Sequence, residues 1–270
     1  MIHETLVISV PGGDATLTVY APDNFQEIDS SRTRRAVVMC PGGAYRMCSD
    51  REAEPVALQM LAADVCVFVL RYSVQPVRYP VALTQAAAAV HYVRSHAEKY
   101  HIEPDKIAVM GYSAGGHLAA SLGVRWQEPW LSEALSLTPA DIRPNGMILC
   151  YPVITGTAHT HAGSLENLTG SPDPGDWKPH CLENLVTGQT PPAFLWHTYT
   201  DEAVPVENSL LFFTAMRRHG VPGELHIYPK GVHGLSLATA QSCDPVVCPD
   251  YVQPDVVNWI EMALRWLKQL

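Results

Sequence analysis

The chain has 270 residues, 47% of them hydrophobic and 17% charged. That balance suits a globular protein rather than a disordered or fibrous one, and the length allows one large α/β domain over residues 1–270. Lys and Arg number 18 against 27 Asp and Glu, a net charge of −9 with neutral histidines, which argues against nucleic acid or an anionic membrane as partner.

Taken in chain order, Leu6–Val10 and Ala15–Tyr20 are short β-prone runs separated by Pro11-Gly12-Gly13-Asp14, which predicts an antiparallel hairpin. The polar stretch from Asp23 to Arg35 reads as a loop. Ala36–Cys40 is a continuous apolar run that ends in Pro41-Gly42-Gly43-Ala44-Tyr45, a buried strand followed by a glycine-rich turn. Glu52–Ala63 has helical spacing, and Val65–Leu70 is another buried strand, followed by Arg71-Tyr72-Ser73. Pro80 opens a helix expected to run through Tyr100.

Ile107-Ala108-Val109-Met110 stops at Gly111, and Gly111-Tyr112-Ser113-Ala114-Gly115 matches G-x-S-x-G ahead of a small-residue helix. In that pattern the serine occupies a strained strand-to-helix turn, with glycines letting neighbouring backbone pass close by. Trp126 to Asn145 is proline-containing and aromatic, Met147–Tyr151 is strand-like, and Pro152 to Pro192 is long and irregular. Ala193–His197 is the next strand. Val206–His219 reads as a helix stopped by Gly220, Glu224–Tyr228 as the last strand and Gln253–Leu270 as an amphipathic helix. The alternation predicts an α/β fold with a mostly parallel sheet of about eight strands and helices on both faces.

No apolar run approaches a membrane span, and no basic leader precedes an apolar stretch at the N-terminus. The seven cysteines are scattered, so a reduced, cytoplasmic protein is expected. Cys243 and Cys248 lack a second pair at ligand spacing, and His159 and His161 read as solvated loop residues, so no metal is expected.

A serine hydroxyl needs a base to take its proton, and the base needs a carboxylate to fix its tautomer. Ser113, Asp201 and His233 each follow a predicted strand, in the order serine, acid, histidine. Glu202 competes with Asp201 but lies further from the strand end. His233 stands between glycines, whereas His197 and His226 lie within strands and His117 is expected to pack on the helix after Ser113. A tetrahedral oxyanion also needs backbone N–H donors. One is expected from Ala114, and the others from the turn after Cys40.

Pro-Gly-Gly-Ala-Tyr, Arg-Tyr-Ser, Gly-Tyr-Ser-Ala-Gly-Gly-His, Trp-His-Thr-x-x-Asp and Gly-x-His-Gly follow one another from Pro41 to Gly234. In this the chain resembles the α/β-hydrolase superfamily, in the branch of hormone-sensitive-lipase-like carboxylesterases and small bacterial acetyl esterases linked to acetylated or feruloylated xylan. The resemblance implies Gly43 and Ala44 as further oxyanion donors, with Pro41 standing where the family has a histidine that braces the loop and Ala44 where it has a third glycine. It also implies a serine carboxylesterase for short acyl esters, acetyl above all, working through an acyl-enzyme without a cofactor. Acetylated xylo-oligosaccharide is one candidate substrate. A serine peptidase, an arylformamidase-like amidase and a catalytically inactive interaction module are the alternatives, and homo-oligomerisation is left open.

Tyr45, Tyr72, Tyr112 and Trp177 are the expected substrate-binding residues, the first two crowding the acyl side and Trp177 walling the alcohol side. A minimal, loop-built cap is expected from the stretches Trp126–Asn145, Pro152–Pro192 and Leu235–Pro254.

Overall fold

The computed structural model describes residues 1–270. Its strands are β1 (Ile2–Val10), β2 (Gly13–Ala21), β3 (Arg34–Cys40), β4 (Cys66–Arg71), β5 (Ile102–Tyr112), β6 (Gly146–Cys150), β7 (Ala193–Thr198) and β8 (Gly223–Tyr228). They form one sheet in the order β1-β2-β4-β3-β5-β6-β7-β8. The expected hairpin forms, with Val10 opposite Gly13. Only β2 runs against the others, because it pairs antiparallel with both β1 and β4.

The helices are α1 (Glu54–Ala62), α2 (Val81–Ser95), α3 (Ala114–Arg125), α4 (Pro129–Glu133), α5 (Pro139–Ile142), α6 (Ala162–Thr169), α7 (Pro174–Trp177), α8 (Glu207–Arg218) and α9 (Trp259–Leu267). None is long and apolar enough to cross a membrane. Alternate residues of each central strand feed different cores. Val38, Ile107 and Val109 pack with α2, α3 and α8, whereas Val37, Ala108 and Met110 pack with α1 and α9. A strand buried on both faces must be apolar at every position, which is why these segments read as unbroken hydrophobic runs.

The strand order reverses between β3 and β5. From β3 the chain crosses outward to β4, then returns past β3 to β5 and continues to β6. The loops leaving β3 and β5 therefore diverge and leave a crevice at their carboxyl ends. Cys40 pairs with Gly111 in the parallel ladder, so the glycine-rich turn and Ser113 leave the sheet side by side.

Three expectations need correction. Helix α2 ends at Ser95 rather than Tyr100, and turns lead into an early start of β5 at Ile102. The last helix starts at Trp259 rather than Gln253. Gln253 donates its N–H to Ala238 O (2.9 Å), and Pro254 disfavours helical backbone at the residue before it. Finally, the stretch from Trp126 to Asn145 is not part of a cap. It carries α4 and α5 and returns to the start of the apolar run of β5, where Asn145 N–H donates to Ile107 O (2.7 Å). That is the sheet edge opposite Ser113. The stretch from Pro152 to Pro192 begins at the edge where Ser113 emerges, with Val153 N–H on Ser113 O, carries α6 and α7, and crosses to the opposite edge by Gln189, whose carbonyl accepts from Trp126 Nε1.

Candidate active site

Ser113 sits at φ 52°, ψ −118°, outside the regions a side chain tolerates easily. Backbone contacts hold it there. Its N–H donates to Cys150 O (3.0 Å), and its carbonyl accepts from the N–H groups of His117 and Val153 (3.0 Å each). The turn is so tight that a Cβ at Gly115 would lie 2.1 Å from Cys40 O. This strain holds the hydroxyl above the end of β5 although the residue is only 8% exposed.

His233 reaches this hydroxyl from the loop after β8. Ser113 Oγ lies 2.7 Å from His233 Nε2, and His233 Nδ1 lies 2.7 Å from Asp201 Oδ2. An ionised carboxylate only accepts, so Nδ1 carries the hydrogen and Nε2 is left as the acceptor for the serine proton. The Asp201 side chain is wholly buried, and its Oδ1 accepts from the N–H groups of Ala203 (3.1 Å) and Val204 (2.9 Å). Burial pushes its carboxyl up. Hydrogen bonds from His197, His233 and Val204 outweigh that and hold it well below the usual carboxylate range. Glu202, the competitor in sequence, is exposed. The histidine loop is tied down where Thr198 Oγ1 (2.9 Å) donates to Gly231 O, and the Tyr151 ring meets His233 edge-on at 5.2 Å.

Gly43 has φ 129°, and a Cβ there would meet Met47 O at 2.2 Å. Ala44 and Tyr45 follow at φ 56° and 53°, a left-handed turn that costs a non-glycine residue on the order of 1–2 kcal/mol. Strain of this size persists only where the surroundings enforce it. Tyr72 Oη donates to Pro41 O (2.7 Å), Gln75 N–H to Tyr45 O (2.8 Å) and Asn167 Nδ2 to Ala44 O (2.9 Å). Buried Glu52 completes the frame, accepting Gly42 N–H at Oε2 (2.8 Å) and Tyr151 Oη at Oε1 (2.7 Å). Tyr151 Oη in turn accepts from Ser236 N–H (2.9 Å). These contacts brace the loop that begins at Pro41. The N–H groups of Gly43 and Ala44 donate to no protein acceptor, and Ala114 opens α3, where the first N–H groups have no intrahelical partner. Burial pushes the Glu52 carboxyl up, although the Tyr151 and Gly42 hydrogen bonds oppose it.

A cleft of about 290 Å³ opens over Ser113 and His233 beside Gly43 and Ala44. Arg46, Arg51, His161 and Tyr251 supply further walls. The four aromatic residues expected there are all buried elsewhere. Tyr45 meets His117 Nδ1 through its hydroxyl (3.0 Å), and Tyr72 holds the Pro41 carbonyl. Tyr112, adjacent to Ser113, sends its ring to the other face of the sheet, against Trp259 and Tyr151. Trp177 donates Nε1–H to Ser171 O (3.0 Å) and packs against Gly156. None of the four lines the cleft, because each satisfies its polar atom or fills space inside the fold.

His117 packs as expected, also reaching His180 O through Nε2 (3.1 Å). Sequence reasoning missed three others. His197 is fixed between Ser209 Oγ (2.8 Å) and Val204 O (2.9 Å) and approaches Asp201 Oδ2 at 3.4 Å. His161 caps α6, accepting Ser164 N–H at Nδ1 (3.2 Å), which leaves its other ring nitrogen as the donor. Glu52 had only its helical position to mark it. A glutamate in a first turn is ordinary, and no local pattern announces its burial.

A family model described as BD-FAE matches residues 17–148, and one described as prolyl oligopeptidase family matches residues 177–244. Among solved structures, an acetyl ester-xyloside bifunctional hydrolase from Caldicellulosiruptor lactoaceticus is 37% identical with a TM-score of 0.79, over 94% of this chain and 88% of that one. The carboxylesterase Cest-2923 from Lactobacillus plantarum is 31% identical with a TM-score of 0.88, over 100% and 98%. An acetylxylan esterase of Xylanibacter ruminicola is 29% identical over 256 residues, 92% of this chain. The chain spans 35% and 48% of the length of the first curated relatives it matches.

Proposed function

The chain belongs to the α/β-hydrolase superfamily, in its acetyl- and feruloyl-esterase-like branch, and from that premise we propose that it hydrolyses short acyl esters, acetyl above all. The relay of 2.7 Å contacts from Ser113 through His233 to buried Asp201, beside unclaimed N–H groups, carries this reading. His233 Nε2 takes the serine proton as Oγ attacks the ester carbonyl. The oxyanion that forms is met by the N–H groups of Gly43, Ala44 and Ala114. The imidazolium, balanced by Asp201, then hands its proton to the leaving alcohol. Water repeats the sequence on the acyl-enzyme.

The cleft, about 290 Å³, lies just below the usual range of ligand pockets, about 300–1,000 Å³, which suits a small ester. The relatives named for xylan and xyloside chemistry support acetylated xylo-oligosaccharides as candidate substrates. The match to the prolyl oligopeptidase family covers the aspartate and histidine loops, which an esterase and a peptidase of this fold share.

The test is a fluorophosphonate probe with kinetics on p-nitrophenyl acetate, butyrate and octanoate. Labelling at Ser113 and a preference for acetate are expected, and Ser113→Ala should lose on the order of 10⁴ to 10⁶ in rate. Labelling elsewhere, or more than a few per cent residual activity, would overturn the assignment.

A further inference from the structure

In a protein of net charge −9, the cleft over Ser113 holds two arginines, neither of them in an ion pair, and Glu52 is the one carboxylate in its lining. The nearby acids are committed elsewhere. Asp50 pairs with Arg71 (2.6 Å), Glu54 accepts from Tyr20 Oη (3.1 Å), and both oxygens of Glu52 are taken by Gly42 N–H and Tyr151 Oη. Arg46 is exposed at the rim of the Gly43–Ala44 turn. Arg51 is half-buried and held in place, its Nη2 donating to Gly234 O (3.1 Å) and its guanidinium lying 4.5 Å from the centre of the Tyr251 ring. A guanidinium carries five N–H donors, and Arg51 uses one of them on Gly234 O, with the Cys243 sulfur beside it.

Position settles which part of an ester would meet Arg51. His233 Nε2 must pass its proton to the leaving oxygen, so the alcohol portion lies on the histidine side of the cleft. Arg51 is anchored to the carbonyl of the residue after His233. Resting on the esterase reading above, we propose that the alcohol portion of the natural ester carries a carboxylate, as a uronic acid residue does, and that Arg51 binds it with Arg46 assisting. The planar fork of a guanidinium matches the two oxygens of a carboxylate, and a ring beneath it fixes the plane in which the fork is offered. His161, whose ring burial holds below its ordinary pKa, offers a neutral donor across the same cleft.

The test compares 4-acetoxybenzoate with 4-acetoxybenzamide on the whole protein, each kcat/KM normalised to the ester's own hydroxide rate. The wild type should prefer the carboxylate-bearing ester about five- to tenfold at low ionic strength. The ratio should fall towards one in about 0.5 M salt and in Arg51→Gln. Hydrolysis of neither ester would overturn the esterase reading itself. Hydrolysis of both with no preference, or with a preference that Arg51→Gln leaves intact, would overturn this inference alone. Should Arg51→Gln fail to fold, the wild type supplies the readout: glucuronate should inhibit neutral-ester hydrolysis competitively where glucose does not. Equal inhibition by the two, or inhibition by glucose 6-phosphate without glucuronate, would overturn it.

Discussion

Replacing Glu52 tests whether the oxyanion loop depends on a carboxylate that takes no part in the proton relay. Glu52→Ala removes two acceptors together, leaving the Gly42 N–H and the Tyr151 O–H hydrogen without an acceptor in a buried site. Each buried unsatisfied group costs about 1–3 kcal/mol, so the fold should lose about 2–6 kcal/mol. Gly42 directly precedes Gly43 and Ala44, whose strained turn needs a fixed entry. Losing one oxyanion donor outright costs about 10²–10³ in kcat, so a displaced loop should cost at least about tenfold with KM little changed. Glu52→Gln keeps one acceptor for Gly42 and turns its amide towards Tyr151, so about 1–2 kcal/mol and a smaller loss in kcat are expected. Urea unfolding reads the first effect and p-nitrophenyl acetate kinetics the second. A Glu52→Ala protein within 1 kcal/mol of wild type (roughly the cost of one buried hydrogen bond) and with unchanged kcat would refute the bracing role.

Asp201→Asn should lower kcat about 10⁴-fold while folding normally, because an amide facing Nδ1 favours the tautomer that puts a hydrogen on Nε2; Glu202→Gln, at an exposed position, should act as wild type in the same assay. Trp177→Ala should cost about 3–5 kcal/mol of stability as a core truncation, with KM values for acetylated xylo-oligosaccharide and aryl acetate moving together. A rise confined to the oligosaccharide would instead put Trp177 at the substrate. Stability should also fall on acidification. Burial holds His117 down at about 3 and His180 at about 4, against an ordinary 6.5. Below pH 6.5 the unfolded chain takes up protons that the native state refuses, so each group contributes up to about 1.4 kcal/mol of lost stability per pH unit until its folded value is reached. A urea midpoint unchanged between pH 6.5 and pH 4.5 would contradict this.

The hairpin, the buried strands and the sharp turn at Ser113 were legible in the sequence because their signals are local. A strand buried on both faces is an unbroken apolar run, and a turn too tight for a Cβ announces itself by glycine, as Gly111 and Gly115 do. The order of the strand-end loops also placed Ser113, Asp201 and His233 as candidates, since strands of a parallel sheet release their loops at one edge. Period-two geometry could have gone further, because Tyr112 and Ser113 are neighbours and Ser113 faces the cleft.

The walls of the cleft were decided by the tertiary structure alone. Whether an aromatic ring faces solvent or core depends on partners far away in sequence, such as His117 for Tyr45 and Pro41 for Tyr72. Glu52 looked like an ordinary first-turn acid, yet it meets Tyr151 across 99 residues of chain and closes the frame of the oxyanion loop. Arg51, on a short 3-10 helix, and His161, at the N-cap of α6, came to the cleft in the same way, on segments whose placement follows from packing rather than from their own residues. Local sequence fixes backbone conformation, but the direction in which a polar side chain finds its partner is settled only when distant segments close around it.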